Sequence, residues 1–137
     1  MKFSIHHVAI SVTNIERSIQ FYSAFGFTEL IKWDSVNGGL KLCHLKLDNM
    51  ILELFCYEST QPAPETTSSL KTDLPRIGVK HFALTVDSID ETKQFILEKN
   101  IAREIEITRG TNGISYFFIK DPDGILFELI EDRRNLS

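Results

Sequence analysis

The sequence predicts an α+β fold built from two βαβββ modules, and an internal repeat is the main reason for this prediction. A shift of 74 positions lays His7 on His81, and a shift of 75 lays Glu53 on Glu128. The first shift also aligns Ala9 with Ala83, Val12 with Val86, Ile15 with Ile89, Gln20 with Gln94 and Phe21 with Phe95. In each half, one alternating apolar and polar stretch precedes a helical stripe, and three alternating stretches follow it. Each half therefore begins with a strand histidine and ends with a strand glutamate.

The length of 137 residues predicts one domain, because neither half alone would bury enough apolar surface to be comfortably stable. Within this domain, spanning residues 1–137, we place the modules at about 1–58 and 77–132. The segment between them, about 59–76, is rich in Ser, Thr and Pro and has little periodicity. Such a composition is typical of a linker.

Charge and hydropathy exclude two classes of partner. The net charge is −4, and no run of Lys and Arg is interleaved with aromatic residues, so we expect no binding to nucleic acid. There is no basic patch for an anionic membrane and no window approaching 18 apolar residues, so we expect no membrane contact. The N-terminal stretch lacks signal-peptide features, and Cys43 and Cys56 lack a CxxC spacing, which favours a cytoplasmic protein with two free thiols.

The first module is predicted to start with a strand over residues 4–12. Its alternation separates an apolar face from a face with His7, Ala9 and Ser11, which suits the lining of a cleft. Asn14 is the predicted N-cap of a helix over 15–24, which ends before Gly26. Three further strands are predicted at 27–33, 40–47 and 50–57, with breaks at Asn37-Gly38-Gly39 and Asp48-Asn49.

The second module repeats this pattern. A strand is predicted over 79–86, and Ser88 caps a helix over 89–99. Three strands follow at 102–108, 114–119 and 125–131, with a strong turn signal at Asp121-Pro122-Asp123-Gly124 before the last. Residues 132–137 are expected to form a solvated tail.

The two repeated glutamates predict a metal site. Glu53 and Glu128 lie in strongly apolar strands. Burying an ionised carboxylate there costs on the order of several kcal/mol unless the carboxylate is paired or bound to a cation. If the modules pair about an axis, both glutamates meet His7 and His81 in one cleft. Such a set suits a divalent cation, namely Zn²⁺, Ni²⁺, Co²⁺, Mn²⁺ or Fe²⁺. Taken singly, each residue is more often a core histidine or an edge glutamate, but their matching positions favour the metal interpretation.

Two further histidines have no counterpart in the repeat. Lys80 stands where His6 would recur, and Phe118 or Ile119 where His44 would recur. For both histidines we favour a surface or core role. Strand alternation also allows His44 to line the cleft.

These motifs also carry a resemblance to a known family. They are His-Val-Ala-Ile-x-Val from His7, Leu-Glu-Leu around Glu53, His-Phe-Ala-Leu-x-Val from His81 and Asp-Pro-Asp-Gly-x-x-x-Glu-Leu up to Leu129. Over nearly the whole chain the sequence resembles the vicinal oxygen chelate superfamily, which includes glyoxalase I, methylmalonyl-CoA epimerase, extradiol dioxygenases and drug-resistance proteins. The resemblance implies a curved mixed sheet around a metal cleft, and a homodimer.

The order His, Glu, His, Glu is similar to that of the glyoxalase I ligands, which implies metal binding by His7, Glu53, His81 and Glu128. By that likeness the protein is a metal-dependent lyase or isomerase acting on a small molecule with vicinal oxygens through an enediolate. Glu128 would be the ligand that also shuttles the proton, with Glu53 as its catalytic partner.

The resemblance leaves other functions open. Glutathione-dependent members tend to have an arginine and an asparagine where this chain has Ser11 and Tyr57, so the likeness does not extend to glutathione recognition. Methylmalonyl-CoA epimerases typically carry a glutamine at the place of Glu53, which favours the glyoxalase type over an epimerase acting beside a thioester. A non-catalytic, drug-sequestering dimer is the alternative from another class. Ring-cleaving dioxygenases commonly use two His and one Glu, and fit this chain least.

Overall fold

Two four-stranded mixed sheets, one in each half of the chain, form the framework of the protein. The computed structural model describes residues 1–136, and it divides into two compact units, one ending at Ala63 and the other starting at Pro64. The α+β class and the two βαβββ modules are thereby confirmed. No helix among the described residues is long and apolar enough to span a membrane. One domain over residues 1–137 stays a prediction.

The first unit follows the predicted element order closely. Its elements are β1 His7–Ser11, α1 Ile15–Ser23, β2 Thr28–Asp34, β3 Leu40–Leu47 and β4 Met50–Tyr57. The strand order is β1-β4-β3-β2, with β1 parallel to β4 and the other pairs antiparallel. Asn14 caps α1, since its side-chain oxygen accepts a hydrogen bond from the Arg17 backbone N–H at 3.0 Å. Gly26, with φ +93°, provides the left-handed residue after the helix.

One face of this sheet forms the core of the first unit. Leu52 and Leu54 of β4 are fully buried, as are Cys43 of β3 and Tyr22 of α1. Because side chains alternate along a strand, Glu53 points to the opposite face. The core side of β4 therefore determines which face carries the glutamate.

The second unit repeats the topology after a helical lead-in. A short 3-10 helix at Glu65–Ser68 and α2 Leu70–Asp73 precede β5 Phe82–Thr85, α3 Ile89–Glu98, β6 Thr108–Arg109, β7 Ile114–Lys120 and β8 Leu126–Asp132. The strand order is β5-β8-β7-β6, and β5 runs parallel to β8. Phe127 and Leu129 of β8 are buried in the core, so Glu128 points to the other face.

The segment predicted as a linker is folded in the structure. Asp73, at the end of α2, is buried and accepts hydrogen bonds from Arg76 Nε at 2.7 Å and Thr66 Oγ1 at 3.2 Å. The Arg76 guanidinium holds the pKa of Asp73 below its ordinary value. Lys80 Nζ donates to the Asp73 carbonyl at 2.7 Å, which ties this segment to the residue before His81.

The strand predicted at 102–108 is wrong in extent, because only Thr108 and Arg109 pair with β7. Residues 105 and 107 are partly covered while 104, 106 and 108 are exposed, so the alternation is real. Alternation reports which side chains are covered, but a strand also needs backbone partners. Asp132, predicted in the tail, ends β8 instead, and Ser137 lies outside the described residues.

Candidate functional site

Glu53 lies at the centre of the candidate site in the first unit. In the register of the sheet it stands between Ala9 of β1 and His44 of β3. Its Oε2 is 2.5 Å from His44 Nε2, and its Oε1 is 3.8 Å from His7 Nε2. The side chain is only 17% exposed, so these imidazoles replace much of the water that an ionised carboxylate would otherwise need.

His7 is the more accessible member of this group, with 45% of its side chain exposed. It begins β1 and lies two residues before Ala9, and therefore on the same face. Its Nδ1 is 2.9 Å from Nδ1 of His6, and the two rings meet edge to face. The His6 contact leaves Nε2 of His7 directed toward Glu53.

Glu128 occupies the equivalent place in the second unit. It stands between Ala83 of β5 and Phe118 of β7 in the register of that sheet. Its Oε2 is 3.1 Å from His81 Nε2, and its side chain is 14% exposed. The predicted pairing of one histidine with one glutamate is thus found in each unit.

The environment of His81 indicates a role beyond packing. The residue lies just before β5, and its ring meets Phe118 edge to face with centroids 4.8 Å apart. Its Nδ1 is buried, and no residue in the described range 1–136 hydrogen-bonds it. A buried polar atom without a partner costs about 1–3 kcal/mol, so a purely structural histidine would be poorly served by this arrangement.

The cysteines do not add a nucleophile to the site. Cys43 neighbours His44 in β3 but points into the core, and both cysteines are free thiols. Burial raises the pKa of Cys43 to about 11, which keeps the thiol protonated at neutral pH. The nucleophilic chemistry of a thiolate is therefore not available at this position.

The donor set fits a divalent cation in type. Neutral imidazole nitrogens and carboxylate oxygens are the ligands that borderline metals take, and each His and Glu pair presents one of each. In residues 1–136 no group of three or more His, Cys, Asp or Glu side chains is arranged so that it could hold a metal ion. The four-residue metal site thus stays a prediction, of which the structure shows the two pairs.

The contact of His44 with Glu53 is the feature that the sequence interpretation left undecided. A two-residue turn at Asp48-Asn49 pairs Leu47 with Met50, and counting back along both strands sets His44 opposite Glu53. The turn signal together with strand alternation could therefore have placed His44 at the site.

Comparisons with known proteins agree with this architecture. The family model described as the Glyoxalase/Bleomycin resistance protein/Dioxygenase superfamily matches residues 4–129. YwkD of Bacillus subtilis (strain 168) is 32% identical over 133 residues, which are 93% of this chain and 96% of YwkD. The crystal structure of the glyoxalase family protein from Enterococcus faecalis superimposes with a TM-score of 0.74 at 29% identity, over 93% of this chain and 97% of that one.

Curated relatives with a named activity match this chain over only part of their own length. The lactoylglutathione lyase GLX1 of Arabidopsis thaliana is 31% identical over 130 residues, which are 91% of this chain. Those residues are 43% of the plant protein, so the chain spans less than half of its length.

Proposed function

The chain belongs to the Glyoxalase/Bleomycin resistance protein/Dioxygenase superfamily, and we propose that within it the protein is a metal-dependent lyase or isomerase of glyoxalase I type. Its reaction would move a proton between two adjacent carbon atoms of a small substrate with vicinal oxygens. The observation that carries this proposal is the matched pair of histidine and glutamate in each unit, His7 with Glu53 and His81 with Glu128.

The proposed metal ligands are these four residues, and the proposal holds whether the two pairs of one site come from one chain or from two copies. A divalent cation, Zn²⁺, Ni²⁺, Co²⁺, Mn²⁺ or Fe²⁺, would polarise the substrate oxygens and so acidify the neighbouring C–H bond. The ligand types support this assignment, because an imidazole lies beside a carboxylate that is less than one fifth exposed in both units.

Glu128 is the proposed proton carrier. A carboxylate that moves a proton needs a free oxygen and few competing hydrogen bonds. Among the described residues, His81 is the only side chain that hydrogen-bonds Glu128, through Oε2. Glu128 would accept the proton from one carbon and return it to the next, while Glu53 serves as its partner carboxylate.

The proposed substrate class rests on the family and on two positions at which this chain differs from glutathione-dependent members. The Arabidopsis relative is named a lactoylglutathione lyase, which supports hemithioacetals as the first substrates to test. Ser11 and Tyr57 stand where glutathione-dependent members tend to have arginine and asparagine, so we propose a thiol other than glutathione or none.

We further propose a cytoplasmic homodimer. Cys43 and Cys56 are free thiols, which is typical of a reducing compartment. Leu30, Ile31 and Trp33 are each about half exposed on β2, the edge strand of the first sheet. Exposed apolar edges of this kind are commonly covered by a partner, and light scattering of the purified protein measures the oligomeric state.

Elemental analysis tests the metal proposal. The protein would be purified without chelator or metal-affinity resin, beside the double variant His7→Ala/Glu128→Ala and the control Glu104→Ala, whose carboxylate is exposed. We expect up to about one transition metal per chain in the wild type and the control, and loss of metal in the double variant. The metal-loaded protein would then be assayed with hemithioacetals and with thioesters.

Two results would contradict the proposal. Wild-type protein that takes up none of the five cations on reconstitution would exclude a metal-dependent enzyme and favour the drug-sequestering alternative. Turnover of thioesters but not of hemithioacetals would favour the epimerase alternative, which uses the same proton transfer beside a thioester.

A further inference from the structure

We propose that His44 is a positioning residue that fixes Glu53 in one orientation, so that the two glutamates of the site have different duties. Glu53 would serve as a fixed ligand and Glu128 as the carboxylate that moves the proton. The inference rests on the proposed metal-binding function and adds a residue outside the repeat.

The two sheets differ at one register position beside the glutamates. His44 of β3 lies opposite Glu53, and Phe118 of β7 lies opposite Glu128. The cross-strand position on the other side is equivalent in the two sheets, since Ala9 and Ala83 occupy it. Glu53 therefore has a polar cross-strand neighbour where Glu128 has an apolar one.

His44 hydrogen-bonds only one of the two carboxylate oxygens of Glu53. A carboxylate only accepts hydrogen bonds, so the imidazole Nε2–H of His44 donates to Oε2 at 2.5 Å. Oε1 is left on the side of His7 Nε2, at 3.8 Å. A hydrogen bond to the second oxygen of a ligating carboxylate fixes its rotamer and leaves a single oxygen for the cation.

Glu128 has no such second donor among the described residues. Its neighbour Phe118 is apolar and instead packs edge to face on the His81 ring. An apolar neighbour cannot donate a hydrogen bond, so His81 is the only side chain among the described residues that hydrogen-bonds Glu128. The partner of Glu128 is thus itself a proposed metal ligand, whereas His44, the partner of Glu53, lies outside the proposed ligand set.

Metal affinity tests this inference without relying on turnover. Ni²⁺ and Co²⁺ would be titrated into metal-free protein in competition with a chromophoric chelator, using wild type, His44→Leu, His44→Gln and the control Lys41→Ala. Lys41 is exposed on the same strand and alternates to the other face. Loss of such an outer hydrogen bond typically weakens metal binding about 10- to 100-fold.

We expect that loss for His44→Leu, and affinity close to wild type for His44→Gln, because the glutamine amide can also donate to Oε2. The Co²⁺ absorption spectrum should change in the leucine variant and return in the glutamine variant. Equal affinity of wild type and His44→Leu would overturn the inference while the metal proposal stands. If the leucine variant does not fold, His44→Asn, whose amide is too short to reach, takes its place with the same expected loss. No metal binding by the wild type would overturn both.

Discussion

The two units share a topology and a repeated His and Glu pair, yet the side chains around the glutamate differ between them. Glu53 is contacted by two imidazoles, whereas Glu128 is contacted by one and faces Phe118 on its other side. In both units the alternation of the last strand determines where the carboxylate points. The residue on the neighbouring strand determines how firmly it is held, and that residue is not part of the repeat.

A second difference lies at the start of the two helices. The side chain of Asn14 caps α1, and the side chain of Ser88 caps α3 in the same way. In the second unit Glu131 of β8 adds a hydrogen bond from the Ile89 backbone N–H at 2.8 Å. The position equivalent to Glu131 in the first unit is Cys56, which has no charge. The start of α3 therefore depends on a carboxylate, and the start of α1 does not.

The largest effect is expected from exchanging the carboxylates one at a time. Glu128→Gln should lower kcat by about 10²- to 10⁴-fold, the contribution typical of a general base, because the amide cannot accept the proton. Glu53→Gln should act mainly through weaker metal binding, so its turnover should recover at raised metal concentration. Steady-state assays at several metal concentrations measure both effects.

The comparison between the glutamates would fail under two results. If added metal restores Glu128→Gln as fully as Glu53→Gln, Glu128 is only a ligand. If neither variant recovers, both carboxylates take part in the proton transfer, and the proposed division between them is wrong.

The cores of the two units provide a matched test of stability. Leu54 and Leu129 are equivalent in the repeat, and both are almost fully buried. Leu54→Ala and Leu129→Ala should each lower the free energy of unfolding by about 2–5 kcal/mol, the range for a buried leucine. Urea denaturation followed by circular dichroism measures both losses. Fluorescence of Trp33, the single tryptophan, reports on the first unit.

A loss below this range in one variant only would show that the two cores are packed unequally. It would then be unsafe to transfer conclusions from one sheet to the other. Similar losses would support treating the units as equivalent scaffolds that differ in their site residues.

Most of the framework could be predicted from the sequence because strong turn signals bound the strands. β3 and β4 begin and end at the predicted residues, since Gly38-Gly39 and Asp48-Asn49 interrupt the alternation on either side. β6 could not be predicted in length, because backbone pairing depends on where β7 lies. The helices at residues 65–73 have too little apolar periodicity to be detected, and are held by polar contacts of Asp73.

The candidate site was predictable where the repeat applied. The repeat predicts His7, Glu53, His81 and Glu128, because each has a counterpart at a matching position. His44 has none, so the repeat gave no signal for it. Its contact with Glu53 depends on the pairing of two neighbouring strands, which the repeat alone does not reveal.

The smallest expected effect concerns Glu131 and its dependence on pH. The Ile89 backbone N–H, and secondly Arg133, hold the pKa of Glu131 below the ordinary glutamate value. A lowered pKa in the folded state stabilises the protein above the unfolded pKa of about 4.3, and this contribution is lost as the pH falls through the folded value. Glu131→Gln should therefore be less stable than wild type at pH 6, and the difference should shrink toward pH 3.

Urea denaturation at pH 6, 4 and 3 measures this difference, with Cys56→Ala as the matched control from the first unit. Asp73 and Asp132 also have lowered pKa values, so both proteins should lose some stability in acid. Those contributions cancel when wild type and variant are compared at the same pH. A difference that stays constant from pH 6 to pH 3 would show that Glu131 acts through its shape rather than its charge.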